Sequence, residues 1–121
     1  MQTAERLRSR TMDASNQAAA LKTKAWQKDS QSTWASARAA ELEAEAAGCR
    51  IRGDLGGALR TIKEANRLHD DSDAAAEEAE ALRNEARQKE AEADDASRRA
   101  IDAISRYDTF NLLHTNDPIL S

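Results

Sequence analysis

Small residues set at helical spacing constrain this chain more than any other feature. Twenty-six of its 121 residues are Ala and none is Val. Alanine has the highest intrinsic helix propensity but contributes little buried area, so helices lined with it approach closely and gain little hydrophobic free energy per residue. One stripe, Ala4, Leu7, Thr11, Ala14, Ala18, Leu21, Ala25, Lys28, Ser32, Ala35, Ala39, Leu42 and Ala46, alternates steps of three and four residues. A second, Ala75, Ala79, Leu82, Ala86, Lys89, Ala93, Ala96, Ala100, Ala103 and Tyr107, does the same. Both are heptad seams of coiled-coil type, mostly small.

These patterns predict an all-α fold: an antiparallel helical hairpin or bundle of three or four long Ala-rich helices with coiled-coil-like packing. The expected helices are about 3–29, 31–52, 54–69 and 72–106, in a single helical domain over 1–106. Thr3 is an acceptable first N-cap. The stretch Asp29-Ser30-Gln31-Ser32-Thr33 combines poor helix formers with good caps, and predicts either a new helix or a weak point in one long helix. All four glycines fall between Gly48 and Gly57, and Gly53-Asp54 reads as a helix stop followed by an N-cap. Ile51, Leu55, Leu59, Ile62 and Leu68 surround it, the densest group of large aliphatics in the chain and the expected core. Cap formers cluster again at His69-Asp70-Asp71-Ser72-Asp73, where a second reversal or kink is expected.

Composition excludes several classes of function. Leu, Ile and Phe total 16 residues, so the core is thin, and association with another polypeptide is the expected means of completing it. The longest uninterrupted apolar run, Ala18-Ala19-Ala20-Leu21, is too short for a membrane span. Cys49 stands alone, which rules out an internal disulfide and makes the cytoplasm or another reducing compartment the default. With a pI near 5.2 and no reading motif, nucleic acid is a poor partner. Charge is nonetheless unevenly spread. Residues 1–38 carry +4 and residues 70–95 carry −8, so segments of opposite sign are expected to lie side by side, within one molecule or between copies.

No catalytic constellation emerges. His69 and His114 are the only histidines and neither has Glu-x-x-His or His-x-x-x-His spacing, so no metal, cofactor or small-molecule substrate is expected, and no enzyme. Two features suit binding. Trp26 and Trp34 sit two turns apart beside the first seam, either as plugs between alanine faces or as anchors for a partner. The segment 107–121 holds Tyr107, Phe110, Leu112, Leu113, Ile119 and Leu120, and is expected to fold back or to dock on a partner. Asn116-Asp117-Pro118 predicts a turn within it.

Residues 42–68 resemble one tetratricopeptide repeat. Gly53-Asp54-Leu55 stands at the turn, Ala58, Ile62 and Ala65 follow at the repeat's packing positions, and Leu42 and Ala46 fit its first helix. Cys49 replaces the usual aromatic, Asp70 the closing Pro, and no second copy is detectable. Three-helix microtubule-interacting-and-trafficking domains use a similar helix pair. The resemblance implies protein binding through a groove between helices. The expected function is therefore a non-catalytic adaptor or assembly subunit that binds another protein; the alternative is a self-assembling coiled-coil scaffold whose partners are copies of itself.

Overall fold

In a computed structural model, the backbone is described from Gln2 to Leu120 and the side chains from Glu5 to Tyr107. Two helices account for nearly all of it: α1, Gln2–Ile51, and α2, Leu55–Leu120. No strand occurs among the described residues. The all-helical expectation therefore holds, but the count of three or four helices is corrected to two. Contacts divide the chain into a turn unit, Leu21–Asn84, and a terminal unit, Met1–Ala20 with Glu85–Ser121.

The reversal lies where the glycines and Asp54 place it. Gly53 has φ of 76°, the left-handed region that glycine enters without a Cβ penalty. Its N–H donates to the Arg50 carbonyl at 3.0 Å, and the Asp54 N–H donates to the Cys49 carbonyl at 2.8 Å, the paired bonds of a Schellman closure. Asp54 then opens α2. Its Oδ1 accepts from the Gly57 N–H at 2.9 Å, satisfying a donor that the first turn of a helix leaves orphaned. Gly57 sits so close beneath this cap that a Cβ there would overlap the Asp54 carboxylate.

Neither expected break interrupts its helix. Ser32 and Ser72, each inside a segment rich in cap formers, meet across the turn unit. The Ser32 hydroxyl donates to the Ser72 carbonyl at 2.9 Å, the Ser72 hydroxyl donates to the Ser32 carbonyl at 2.9 Å, and the two Oγ atoms stand 3.0 Å apart. Side chains that elsewhere cap a helix are here consumed by the facing one. Asp29 pairs with Arg83 and His69 Nε2 lies 2.5 Å from Glu43 Oε1, both across the two helices, while Asp71 is engaged by Arg67 one turn back on α2 at 3.4 Å. Tertiary pairing thus overrides local capping preference.

Both expected seams are the buried faces. Every described position of the first, from Leu7 to Ala46, is buried or half-buried, and Ala4 lies outside the described side chains. The second seam is likewise buried or half-buried from Ala75 to Ala103, and Tyr107 is exposed. It continues back to the turn without a change of phase through Ala58, Thr61, Ala65, Leu68 and Ser72, which explains why α2 does not kink at 69–73.

Within the turn unit, heptad register from the Ser32–Ser72 contact sets Ala39 opposite Ala65, Ala46 opposite Ala58 and Ala25 opposite Ala79, all buried. Small side chains at every seventh position bring the backbones close enough for a serine hydroxyl to reach the other helix's carbonyl, an interaxial distance of about 8 Å. Hydroxyls elsewhere in the seams turn back on their own helices: Thr11 donates to the Leu7 carbonyl and Thr61 to the Gly57 carbonyl, each at 2.8 Å. The terminal unit is built alike, burying Ala14, Ala18, Ala86, Ala93, Ala96 and Ala100.

The expected core around the turn is overturned. Ile51, Leu55 and Leu59 are exposed, Ile62 is half-buried, and of that group only Leu68 is buried. The buried cluster of the turn unit is Ala35, Ala39, Leu42, Ala65 and Leu68. Ile51, Leu55 and Leu59 fall out of phase with the seams, so abundance near the turn does not bury them. The expected turn at Asn116-Asp117-Pro118 is not formed, since α2 runs through it to Leu120.

Two sets of substitutions test this account. Gly53→Ala and Asp54→Ala should each lower unfolding stability by about 1 kcal/mol in denaturant titrations, through left-handed strain and a lost cap respectively. In a double-mutant cycle, Ser32→Ala and Ser72→Ala should each cost about 1 kcal/mol, while the pair costs clearly less than their sum because it restores an alanine layer like its neighbours. Strict additivity would exclude an energetic coupling between the two hydroxyls, since each donates to a main-chain carbonyl that the other substitution leaves in place.

Candidate protein-binding face

Both tryptophans point away from the seam. Trp26 is 70% and Trp34 66% exposed, so neither plugs the space between the alanine faces. Trp34 instead forms one wall of a shallow groove in the turn unit, with Ala35, Leu68 and Ala75 at its base and Ser30, Gln31 and Asp71 around it. The groove exists because Ala35 and Ala75 occupy seam positions where larger side chains would fill the space. Trp26 does not line it. Tyr107 is exposed, whereas Phe110, Leu112, Leu113, Ile119 and Leu120 lie outside the described side chains.

A larger feature surrounds Trp26. Along the outward side of α1, Thr23, Trp26, Ser30, Thr33, Ala37, Ala40, Ala44, Ala47 and Ile51 follow one another at alternating three- and four-residue steps, and all are exposed. None is charged, in a chain of which 33% is charged. The equivalent stripe on α2 reads Leu59, Lys63, Asn66, Asp70, Asp73, Glu77 and Glu80. Charge is thus excluded from the back of one helix and concentrated on the back of the other. The tryptophans alone draw attention in the sequence; counting charges at all seven heptad positions reveals the face to which Trp26 belongs.

The unevenly spread charge is met in part within the chain. In the turn unit, Lys28 lies on the seam with its amine 2.8 Å from Glu78, its alkyl stem crossing apolar surface while its charge reaches solvent. Asp29 and Glu80 share the Arg83 guanidinium and hold its pKa above the ordinary arginine value, chiefly through the Asp29 hydrogen bond. In the terminal unit, a polar groove between Arg10, Asp13 and Gln17 on α1 and Lys89, Glu92 and Arg99 on α2 is partly self-neutralised, by Lys89–Glu92 at 3.4 Å and Arg99–Asp95 at 3.2 Å. No group of three or more metal-binding side chains occurs among the described residues. No described helix is long and apolar enough to cross a membrane.

Glu64 illustrates the surface electrostatics. The hydrogen bond from Arg67 holds its carboxyl below the usual value, so the folded state favours the ionised form. Any stability it contributes is present at neutral pH and is lost as pH falls through the folded-state pKa. Solvent screens the pair, so its effect is local. Arg67→Gln should return the Glu64 pKa toward its ordinary value in an NMR titration while leaving the melting temperature nearly unchanged.

Comparison with known proteins matches no family, no curated protein and no solved structure.

Proposed function

We propose that the chain is a non-catalytic protein-interaction or assembly subunit that receives a partner helix on the outward face of α1. The observation that supports this reading most directly is the run of nine uncharged, exposed positions from Thr23 to Ile51. A helix whose charge is withheld from a second face, away from its own hairpin seam, is suited to pack a further helix there. The small residues Ala37, Ala40, Ala44 and Ala47 permit close approach, and Trp26 offers a large aromatic anchor beside them. The groove beside Trp34 supplies an additional recess for one apolar side chain of the same partner.

The proposal modifies the docking surface expected from sequence. Most of the Ala-lined seam is engaged within the hairpin, so the partner meets the reverse side of α1. Helix-pair binding of the kind implied by the resemblance at 42–68 is retained as a packing mode, and the tail from Tyr107 onward is proposed as a secondary docking segment. Self-assembly between acidic and basic segments draws less support, because Lys28 and Glu78, and Asp29 and Arg83, already pair within one chain.

The test places a charge on the face without touching the seam. Ala40→Glu combined with Ala44→Glu should leave helicity unchanged and unfolding stability within about 0.5 kcal/mol, as surface substitutions do, while reducing recovery of cross-linked partners from a lysate at least roughly tenfold. Truncation before Phe110 measures the separate contribution of the tail. Undiminished recovery by the glutamate variant would refute the face. Concentration-dependent growth in mass of the purified chain, abolished by the same variant, would reassign the occupant to a second copy.

A further inference from the structure

We infer that the end of the turn unit around Gly53 is a docking site for an anionic lipid surface. Ile51 is 88% and Leu55 71% exposed, and Leu59 is exposed beside them. Leu55, Leu59 and the half-buried Ile62 fall at i, i+4 and i+7, one stripe of α2 that lies out of phase with the seam. Exposed large aliphatics elsewhere among the described residues occur singly; here three stand within nine residues.

The charge around them is as uneven. Between residues 50 and 63 the chain carries Arg50, Arg52, Arg60 and Lys63 against the single carboxylate of Asp54, which makes this segment +3 in a chain of −4. Asp54 is occupied as the cap of α2. Arg50, Arg60 and Lys63 form no ion pair among the described residues, and the Arg52 guanidinium meets no carboxylate, donating to the Cys49 sulfur at 3.5 Å. Lys28, Arg38, Arg67, Arg83, Lys89 and Arg99 each meet a carboxylate; Lys24 and Arg98 do not, but no group of exposed large aliphatics stands beside them. Cations left unpaired beside exposed aliphatics are the combination that an anionic membrane surface satisfies: phosphates and carboxylates of the headgroups meet the cations while the aliphatics enter the region beneath. The side chains project on both sides of the reversal at an end of the unit. A deformable surface takes up such a projection at once, whereas a folded partner would need a matching socket. Because no described helix is apolar enough to cross a membrane, the association is with its surface.

Sedimentation of the full chain with vesicles of pure phosphatidylcholine, and of phosphatidylcholine containing phosphatidylserine, tests the inference. The chain should partition onto the anionic vesicles at low salt, release at high salt, and ignore the neutral ones. Arg60→Gln with Lys63→Gln should lower the partition coefficient about twenty-five-fold, at about fivefold per cation. Ile51→Ser with Leu55→Ser should lower it at least roughly tenfold at unchanged charge. Arg99→Gln, which removes a paired cation elsewhere, should change it less than about twofold. Circular dichroism of each variant should match the parent because the substituted side chains are exposed. Absence of binding at low salt, equal binding to neutral vesicles, or full binding by the Arg60/Lys63 and Ile51/Leu55 variants would overturn the inference. So would binding to immobilised polyglutamate by a chain that ignores both vesicles, which would make the occupant an acidic polypeptide. The inference shares only Ile51 with the partner face on α1, and Ala40→Glu with Ala44→Glu tests that face while leaving all of these residues in place.

Discussion

Close approach of two backbones is the interaction on which the rest of this structure depends. In the turn unit the seam places Ala or Ser at every seventh position of both helices, and no large side chain is fully buried there; Leu42 and Leu68 are the only large aliphatics in its buried cluster. Stabilisation accordingly comes less from apolar area than from many short-range contacts along the helices and from intact backbone hydrogen bonding. A seam of this kind is intolerant of added volume, because facing alanines leave nothing that can rearrange.

That geometry also dictates where larger side chains go. With the seam reserved for small ones, Trp26, Trp34, Ile51, Leu55 and Leu59 are displaced to outward positions, and the molecule presents on its surface the apolar groups that a conventional bundle would bury. Charge is displaced with equal consequence. It flanks the seam, forming pairs such as Asp29–Arg83, and crowds the back of α2, while the back of α1 is left neutral. Two surfaces of different chemistry result, an uncharged helical face along α1 and a cationic aliphatic end at the reversal.

Much of this is legible from the residues, for reasons that differ by feature. The seams are readable because heptad spacing is geometric and repeats for many turns, and Gly53-Asp54 is readable because a left-handed glycine followed by a capping carboxylate has few other uses. Ser32 and Ser72 mislead because each, taken locally, is a good cap; their hydroxyls are spent on a residue forty positions away, which no local rule detects. The aliphatics near the turn mislead through proximity in sequence. Their phase relative to Ala58, Ala65 and Leu68 is the decisive quantity, and it sets them outside. Trp26 and Trp34 stand out by type alone, whereas the neutral face around Trp26 is visible only when the absence of charge is counted position by position.

The serine pair has one more consequence. Alanine layers repeated every seven residues fit one another equally well after a shift of one heptad, so shape complementarity alone does not fix how the two arms of the turn unit align. Ser32 and Ser72 mark one layer of that repeat: displaced by seven residues, each Oγ would lose its partner's Oγ, now 3.0 Å away, for an alanine methyl, while a main-chain carbonyl would again stand within its reach. The three-residue connection between Ile51 and Leu55 therefore holds the alignment of an otherwise translation-tolerant seam, and the serine layer marks its register. Equal seven-residue insertions on the same side of the serine layer in both arms would lengthen the hairpin and leave its alignment intact.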